Sequence, residues 1–353
     1  MSKSNILNKN AAVRDAVRVI EKTTKRLAVV VDNDGKLLGT ITDGDVRRAI
    51  LADHTLDSLV ENVMNENPIV AKNNTSESYL LQLLKENGLE SIPLVDSNDK
   101  FLRVVHVSDF KKTNVAGGAE GFHSAVIMAG GEGRRLRPFT ETVPKPMLKI
   151  GGIPLLERIV RSMVDAGVPR IYISTNYLSE QIKSYFGDGS KFGVPISYLH
   201  EEFKLGTVGA LSLIRREINK PVLVVNGDVL TNSDYRNLIR YHNENEAKIT
   251  ACAVEYRVEI PYGVFELNGS KISSLKEKPS QRFLCNAGIY ALAPEVIKLI
   301  PKNTYIDMTS LIETVINSGE NVYTFPIHEY WTDIGSPADL QRACDEIKIL
   351  EQI

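Results

Sequence analysis

The segment from Ser124 to Leu148 constrains the chain more than any other stretch. Its apolar start, Ser124 to Met128, has the length and composition of a short buried strand. Glycines and then cations follow at once: Gly130, Gly131, Gly133, Arg134, Arg135, Arg137 and Lys145. Glycines permit a tight turn that presents backbone N–H groups, and the cations neutralise negative charge. A strand, a glycine turn and cations together indicate a site that holds several phosphate groups.

Two widespread phosphate loops do not fit this segment. A P-loop needs Lys-Ser or Lys-Thr at a spacing that is absent here, and a dinucleotide fingerprint needs glycine where the chain has Leu136. The segment instead resembles the signature of sugar-1-phosphate nucleotidyltransferases, G-G-x-G-x-R-L-x-P-x-T followed by P-K-P. Every fixed position is present, from Gly130 to Thr140 and from Pro144 to Pro146. The alternative, a surface turn with solvated arginines, is disfavoured by the length of the match.

Composition limits the class of protein and its setting. A chain of 353 residues predicts about two or three domains, and 43% hydrophobic with 24% charged residues is typical of globular proteins. The net charge of −2 gives no reason to expect nucleic acid or an anionic membrane as a partner. Three scattered cysteines fit neither a disulfide framework nor a zinc site. With no signal-peptide core and no run long enough to span a bilayer, we expect a cytoplasmic protein.

A small, polar, glycine-rich stretch divides the chain. Residues 111–121 have no hydrophobic period and predict a linker. We therefore expect a first module over 1–115, a linker over 116–122 and a second domain over 123–353.

The first module contains a weak internal repeat. The order helix, strand, turn, strand, helix is predicted twice, with helices at 13–20, 46–51 and 77–87 and strands at 26–31, 37–42, 91–96 and 101–107. This order, and the opening of the second half at Met64 to Val70, resembles a tandem pair of CBS domains, a smaller α/β module.

In CBS domains a G-h-[ST]-x-x-[DN] element can bind a nucleotide through its hydroxyl and its acid. The resemblance implies such a role for Thr42 and Asp45 in the first repeat. The second repeat has Asp109, but His106 stands where the hydroxyl is expected, so that half is weaker. Binding of an adenine or guanine nucleotide and a purely structural, dimerising role are both open.

The second domain alternates strands and helices. Strands are predicted at 124–128, 170–175, 195–199, 221–226, 249–254, 262–267, 286–292 and 322–326, and helices at 155–166, 179–186, 209–216 and 234–246. This alternation predicts a three-layer α/β/α, Rossmann-like fold with a mostly parallel sheet. Because ligands in such folds gather beyond the carboxyl ends of the strands, the glycine loop lies where a ligand is expected.

Two acids follow strands in short motifs. Asp228 belongs to Asn-Gly-Asp after a buried strand, and Asp333 belongs to Trp-Thr-Asp-Ile-Gly near the end of the chain. Either could be a turn residue. The resemblance implies that both hold Mg²⁺ bound to the nucleotide, and this ion prefers a few carboxylates together with phosphate oxygens.

The resemblance also implies roles for cations and for sugar ligands. It assigns Arg135 to the departing pyrophosphate, Lys145 to the reacting phosphates and Lys278 to the sugar phosphate. It assigns four residues to the sugar: Tyr262, Gly263, Glu277 and Asn286.

The nucleotide itself is assigned to the glycine loop and to a second turn. The predicted nucleotide ligands are Ala129, Gly130, Gly131, Gly133, Glu201, Gly206 and Thr207. Uridylyl- and thymidylyltransferases of the family carry Gln upstream of the L-G-T turn, whereas this chain has acids. Guanine presents two adjacent donors that a carboxylate accepts, so GTP is favoured, with CTP and UTP as alternatives.

The sequence thus resembles mannose-1-phosphate guanylyltransferases and their relatives. The resemblance implies transfer of a nucleoside monophosphate from GTP to a sugar 1-phosphate, with release of pyrophosphate. Fused CBS pairs occur on bacterial enzymes for surface sugars, including glucosamine-1-phosphate guanylyltransferases that feed legionaminic acid synthesis. A non-catalytic sensor of sugar nucleotides is the alternative from another class. Because CBS pairs often associate, we also expect a homo-oligomer.

Overall fold

The chain divides into two compact units, Met1–Gly117 and Gly118–Ile353. The structure is a computed structural model that describes residues 5–23, 25–110 and 121–350, with side chains described up to residue 347. The predicted boundary at residue 115 and most of the predicted linker lie outside the described residues. Within the described ranges, no helix combines the length and the apolarity that a membrane span requires.

The first unit contains two similar halves. Each half has a short strand, a helix and a two-stranded antiparallel pair, in this order: β1 (Ile6–Asn8), α1 (Val13–Lys22), β2 (Ala28–Val31), β3 (Leu37–Ile41), α2 (Asp43–Leu51), β4 (Ala71–Lys72), α3 (Glu77–Glu86), β5 (Ser91–Val95) and β6 (Phe101–His106). The predicted repeat is confirmed, although β1 and β4 were not predicted. Both pair in parallel with the first strand of the hairpin, giving the sheets β1-β2-β3 and β4-β5-β6.

The two halves of this unit pack against each other through apolar strand residues. Leu27, Val29 and Val31 on one half form a small core with Val104 on the other. Each half also keeps its own core beneath its helices. Because strand side chains alternate between faces, β2 contributes to both its own core and the shared one.

The second unit begins at the predicted strand. Its elements up to the middle of the sheet are β7 (Ser124–Met128), β8 (Lys149–Ile150), β9 (Ile153–Pro154), α4 (Leu155–Asp165), β10 (Ile171–Thr175), α5 (Ser179–Phe186), β11 (Ile196–His200), β12 (Val222–Asn226), β13 (Val229–Thr231) and α6 (Tyr235–Glu244). The rest are β14 (Ile249–Glu259), β15 (Val264–Asn268), β16 (Lys271–Lys276), β17 (Ser280–Leu292), α7 (Pro294–Ile297), α8 (Met308–Asn317), β18 (Val322–Ile327), β19 (Trp331–Asp333) and α9 (Pro337–Leu350).

A seven-stranded sheet in the order β11-β10-β7-β12-β17-β14-β18 forms the centre of this unit. The pairs β11-β10, β10-β7, β7-β12 and β14-β18 are parallel, and β17 runs antiparallel to both of its neighbours. The predicted mostly parallel sheet is therefore confirmed. The carboxyl ends of β7 and β12 are adjacent, since Met128 is paired with Asn226.

Helices cover both faces of the sheet. On β7, Ala125 and Ile127 face a core built with α4, α5, α6 and α9, whereas Val126 faces a second core with α7 and α8. Strands buried on both faces need the continuous apolar runs that the sequence has here. This arrangement is the predicted three-layer α/β/α fold.

An exposed extension leaves the sheet beyond Val254. Residues 255–259 of β14 pair only with residues 280–284 of β17, and β15 and β16 form a separate two-stranded hairpin between them. We call residues 255–285 the hairpin arm. Large apolar side chains on it are exposed, among them Tyr256, Phe265 and Leu267.

Four predicted elements of the second unit differ clearly from the structure. Two strands are longer than predicted, since β14 continues past residue 254 to Glu259 and β17 begins at Ser280 rather than at residue 286. The predicted helix at 209–216 is a short 3-10 segment, Gly209–Leu213, whose first residues turn to meet the loop before α8. The predicted strand at 262–267 begins at Val264, because Tyr262 and Gly263 lie in the preceding bend. The elements of this unit that were not predicted are the strands β8, β9, β13, β16 and β19 and the helices α7, α8 and α9.

Candidate active site

Two aspartates from distant parts of the chain lie side by side beyond the sheet. Asp228 follows β12, and Asp333 ends β19. β13 and β19 pair antiparallel with Val229 opposite Asp333, and the Ile334 N–H donates to the carbonyl oxygen of Asp228 at 3.0 Å. Backbone pairing therefore fixes the spacing of the two carboxylates.

Lys145 lies against both acids. Its Nζ is 2.5 Å from Asp228 Oδ2 and 4.0 Å from Asp333 Oδ1. The flanking prolines restrict the backbone at this position. Gly133 has φ 62°, and a Cβ there would lie only 2.9 Å from Lys145 Cβ. Glycine at 133 therefore lets the phosphate loop and Lys145 approach each other closely.

Asp333 is in an unfavourable position for a carboxylate. Its Oδ1 is buried and has no hydrogen-bond partner among the described residues. Burial first, and the charge of Asp228 second, raise the pKa of Asp333, while Lys145 and Arg135 oppose this rise. A carboxylate in such surroundings gains more from an added cation than a solvated one does.

Arg135 completes this group on the solvent side. A Cβ built on Gly335 would lie 3.6 Å from an Arg135 guanidinium nitrogen and 3.3 Å from Asp333 Oδ2. The guanidinium therefore lies over the glycine of the Trp-Thr-Asp-Ile-Gly motif. We call Arg135, Lys145, Asp228 and Asp333 the acid–lysine cluster; four of the sequence-predicted site residues thus come together.

The glycine loop leaves β7 next to this cluster. Ala129 is buried and its N–H donates to the Ser174 carbonyl oxygen at 3.2 Å. Gly131 is exposed, and a Cβ at this residue would meet nothing within 4 Å. The turn at Gly131 therefore has room for a ligand beside it.

Glu132 ties the glycine loop to the second predicted nucleotide segment. It accepts from Arg134 Nε at 2.6 Å and forms an ion pair with Lys204 Nζ at 2.7 Å. The hydrogen bond from Arg134, followed by that from Lys204, lowers the pKa of Glu132 to about 2. Glu132 was not among the predicted site residues, because a single half-buried acid in a loop has no sequence pattern that identifies it.

Glu201 is held inside the fold. It is 5% exposed, the Ser174 hydroxyl donates to its Oε1, and the Leu205 N–H donates to its Oε2 at 2.9 Å. A Cβ on Gly130 would lie 3.0 Å from its Oε1. Both oxygens therefore already accept hydrogen bonds that shape the loop around Gly130. Base contact by Glu201 stays a prediction.

Gly206 and Thr207 connect their turn to α8. Gly206 has φ 81°, and a Cβ there would lie 2.4 Å from the Ile306 carbonyl oxygen. The Thr207 N–H donates to Asp307 Oδ1 at 3.0 Å, and its hydroxyl accepts from the Met308 N–H at 2.8 Å. The L-G-T turn is thus docked on the residues that open α8.

One predicted sugar residue, Asn286, is linked through Gly288 to Asn226 at the end of β12. Asn286 Oδ1 accepts from the Gly288 N–H at 3.0 Å and from the Tyr290 hydroxyl at 2.8 Å. Gly288 has φ 70°, and a Cβ there would lie 2.7 Å from Asn226 Nδ2. Asn226 ends β12 two residues before Asp228. Its place in the Asn-Gly-Asp motif was the signal that could have identified it.

The other predicted sugar residues lie on the hairpin arm. A Cβ on Gly263 would be 3.0 Å from Glu277 Oε2, so these two residues come together. Tyr262 is 73% exposed, and Lys278 is exposed with φ 44°. No hydrogen bond or ion pair among the described residues joins Tyr262 or Lys278 to the acid–lysine cluster.

In the first unit, the predicted nucleotide residues cap helical segments. Thr42 and Asp45 form a reciprocal capping box at the start of α2, where Asp45 Oδ2 accepts from the Thr42 N–H at 2.8 Å. Asp109 accepts from the His106 N–H at 3.0 Å and is paired with Lys25. Each residue therefore has a structural role, whether or not it binds a ligand.

The acids of the cluster fit a divalent cation. Two neighbouring carboxylates, one with a buried oxygen that lacks a hydrogen bond among the described residues, form a donor set suited to Mg²⁺. Lys145 already neutralises Asp228 in part. A bound cation would therefore compensate mainly for the buried Asp333 oxygen that has no hydrogen-bond partner among the described residues.

The chain belongs to the nucleotidyl transferase family, whose model matches residues 124–348. The CBS domain model matches residues 1–52 and 60–114. Both predicted family resemblances are thereby confirmed.

Similar proteins with curated names are mannose-1-phosphate guanylyltransferases. That of Mycobacterium tuberculosis is 30% identical over 231 residues, covering 63% of this chain and 64% of the relative. That of Yarrowia lipolytica is 35% identical over 227 residues, covering 61% of each chain. This chain thus spans less than two thirds of the length of these relatives. A Bacillus anthracis structure provisionally named a glucose-1-phosphate thymidylyltransferase aligns with TM-score 0.52 and 25% identity, covering 63% of this chain and 94% of that chain.

Proposed function

We propose that this protein transfers a nucleoside monophosphate from GTP to a sugar 1-phosphate and releases pyrophosphate. The acid–lysine cluster beside the glycine loop is the observation that carries this proposal. It combines two adjacent carboxylates with two cations at the carboxyl ends of neighbouring strands. All four residues are retained, which disfavours a non-catalytic sensor.

The proposed nucleotidyl transfer requires neutralisation of negative charge and does not require a proton transfer. The sugar 1-phosphate oxygen that attacks the α-phosphorus of GTP is already ionised near neutral pH. The barrier is repulsion between two anions, so positioning and preorganised positive charge are the main sources of catalysis. Lys145 would hold the reacting phosphates, Arg135 the departing pyrophosphate and Lys278 the sugar phosphate.

Mg²⁺ is the cofactor that we propose for Asp228 and Asp333. When bound, it supplies positive charge to the nucleotide phosphates. The side-by-side carboxylates and the unsatisfied Asp333 oxygen support this assignment. Lys145 Nζ, which lies 2.5 Å from Asp228 Oδ2, would hold that carboxylate in position.

Two observations favour GTP over CTP and UTP: the acids at residues 201–202, before the L-G-T turn, and the similarity to relatives named as guanylyltransferases. Glu202 follows the internally bonded Glu201 and is exposed, so a second carboxylate is available near the loop. Mannose 1-phosphate is the acceptor that the named relatives favour. Glucosamine 1-phosphate is favoured by the fused CBS pair.

The CBS unit would regulate or assemble the enzyme. We propose a nucleotide at Thr42, Asp45 and Asp109 and association of this unit into a homo-oligomer. No disulfide joins the three cysteines, all of which the structure describes, and this supports the cytoplasm as the compartment.

A pyrophosphate-release assay tests the proposal. The full chain is incubated with each of four NTPs against the 1-phosphates of mannose, glucosamine, N-acetylglucosamine and glucose, with Mg²⁺. We expect the highest kcat/KM for GTP with mannose or glucosamine 1-phosphate. Release with CTP or UTP alone would overturn the base assignment, and no release with any pair would overturn the reaction.

A further inference from the structure

A cavity lined by cations adjoins the segment 202–205, which contains part of the predicted nucleotide turn. It has a volume of about 900 Å³ and lies at the edge strand β11, below the 3-10 segment that ends at Leu213. Its floor includes Tyr172 and Leu199, which belong to the core that faces α7 and α8. None of the residues assigned above to phosphate, metal or sugar lines it, and Glu202 is the one lining residue that was considered above for the nucleotide base. We call it the edge groove.

Four cations line the edge groove: Arg170, Arg215, Arg216 and Lys302. None of them forms an ion pair with a carboxylate among the described residues. Only one acid, Glu202, lines the same groove. The chain as a whole has a net charge of −2, so this concentration of unpaired positive charge is local. Uncompensated cations around a concave site attract and retain anions.

The groove also has an apolar surface against which an aromatic ring of a ligand could pack. Phe203 is 49% exposed at its margin, and Leu213 and Ile214 form an apolar wall beside the hydroxyls of Ser197 and Ser212. An apolar lining with a few convergent charged groups is typical of sites for small organic ligands. A small inorganic anion would leave that apolar lining unused.

We propose that the edge groove binds a nucleoside diphosphate group at a site separate from the active site. The arginines and Lys302 would hold the two phosphates, and the apolar wall with Phe203 would hold the base. Free nucleotides and nucleotide sugars share this group, so either could be the source. The proposal does not depend on which sugar the enzyme uses.

The groove is connected to the active site by the segment that separates them. Phe203 and Leu205 line the groove, whereas Lys204 between them pairs with Glu132 of the glycine loop. The Leu205 N–H also donates to Glu201, which faces Gly130. A ligand that shifts Phe203 or Leu205 would therefore alter the glycine loop. Occupancy of the groove should change the KM for the NTP.

The test is calorimetric titration of the full chain with GDP, a GDP-sugar, ADP and pyrophosphate. The double variant Arg215→Glu/Arg216→Glu is compared with Lys149→Glu/Lys271→Glu, which has the same charge change at exposed positions outside the groove. We expect the groove variant to lose one class of sites, with binding weakened about tenfold or more, since charge-assisted bonds are lost. The control variant should retain that class. The kcat of both variants without added effector should stay normal.

Several outcomes would overturn the proposal. One is an equal number of GDP-binding sites in the parent protein and in the groove variant. Another is binding of pyrophosphate to the groove as tightly as GDP. A third is a change in oligomeric state of the groove variant on gel filtration, which would make the groove an interface between copies. The charge-conserving variant Arg215→Lys/Arg216→Lys should bind the nucleotide as the parent protein does. Its binding would show that the loss in the groove variant comes from the change of charge and not from a folding defect. A comparison of GDP with the GDP-sugar identifies the source of the diphosphate. Failure of the groove variant to change binding, with normal turnover, would leave the proposed function intact.

Discussion

The acid–lysine cluster and the hairpin arm both carry predicted ligands, yet they are built in different ways. The cluster is fixed by strand pairing, by a buried lysine and by glycines that no other residue could replace without a clash. The hairpin arm pairs only with itself beyond Val254 and leaves large apolar side chains exposed. The proposed reaction would thus rely on groups held by the core, while the choice of sugar would rely on groups at the periphery.

The largest expected effect is at the centre of the cluster. Asp228→Asn keeps the shape of the side chain and removes its charge, so Lys145 loses its anionic partner and the proposed metal ion would lose a ligand. We expect kcat to fall about 10²–10³-fold in the pyrophosphate-release assay. Asp165→Asn, at the exposed end of α4, should retain normal turnover. Unchanged turnover in Asp228→Asn would remove this residue from the metal site.

Substitutions at two glycines, Gly133 near the acid–lysine cluster and Gly269 on the hairpin arm, allow a direct comparison of the two regions. Gly133 and Gly269 both have φ 62°, but a Cβ at 133 would meet Lys145 at 2.9 Å, whereas one at 269 would meet nothing within 4 Å. Gly269→Ala should cost only the backbone strain, about 1–2 kcal/mol in free energy of unfolding. Gly133→Ala should add a clash and displace Lys145, and kcat should fall about tenfold or more. Equal losses of activity would contradict the difference between the regions.

On the hairpin arm we expect a smaller effect, confined to the sugar. Glu277→Gln weakens a charge-assisted bond to a sugar hydroxyl or amine, so KM for the sugar 1-phosphate should rise about tenfold. KM for GTP should stay unchanged. Glu266→Gln, on the same hairpin and paired with Lys276, is the matched control and should alter neither constant. A rise in KM for GTP in Glu277→Gln would show that the arm does more than bind sugar.

The smallest expected effect concerns the sheet that supports the cluster. His242 is buried, and burial lowers its pKa from 6.5 to about 4. The unfolded chain therefore binds a proton at a higher pH than the folded one, so stability is full above pH 6.5 and decreases as the pH falls towards 4. Urea midpoints measured across this range should show the decrease, with a flatter profile in His242→Gln. Parallel profiles would mean that other groups control acid stability.

Much of the fold could be predicted because its signals are local. The apolar runs at 124–128 and 221–226 predicted β7 and β12, and the 3.6-residue period of 155–166 predicted α4. The segment 209–216 also has helical spacing, but docking of Gly206 and Gly209 against residues 304–306 shortens it to a 3-10 turn. β1 and β4 were missed because strands of two or three residues have too little pattern to detect.

The sequence by itself determined the class of chemistry. The glycine turn, the arginines, the Pro-Lys-Pro segment and two acids after strands predict a phosphate-binding site, because residue type decides charge and hydrogen bonding. Only the tertiary structure decided how these groups meet. The antiparallel pairing of β13 with β19 sets Asp333 beside Asp228, and the folded loop turns the Glu201 carboxylate inward onto Ser174 and Leu205. The reason is physical: contacts between residues far apart in sequence depend on strand register and burial, which no local pattern specifies.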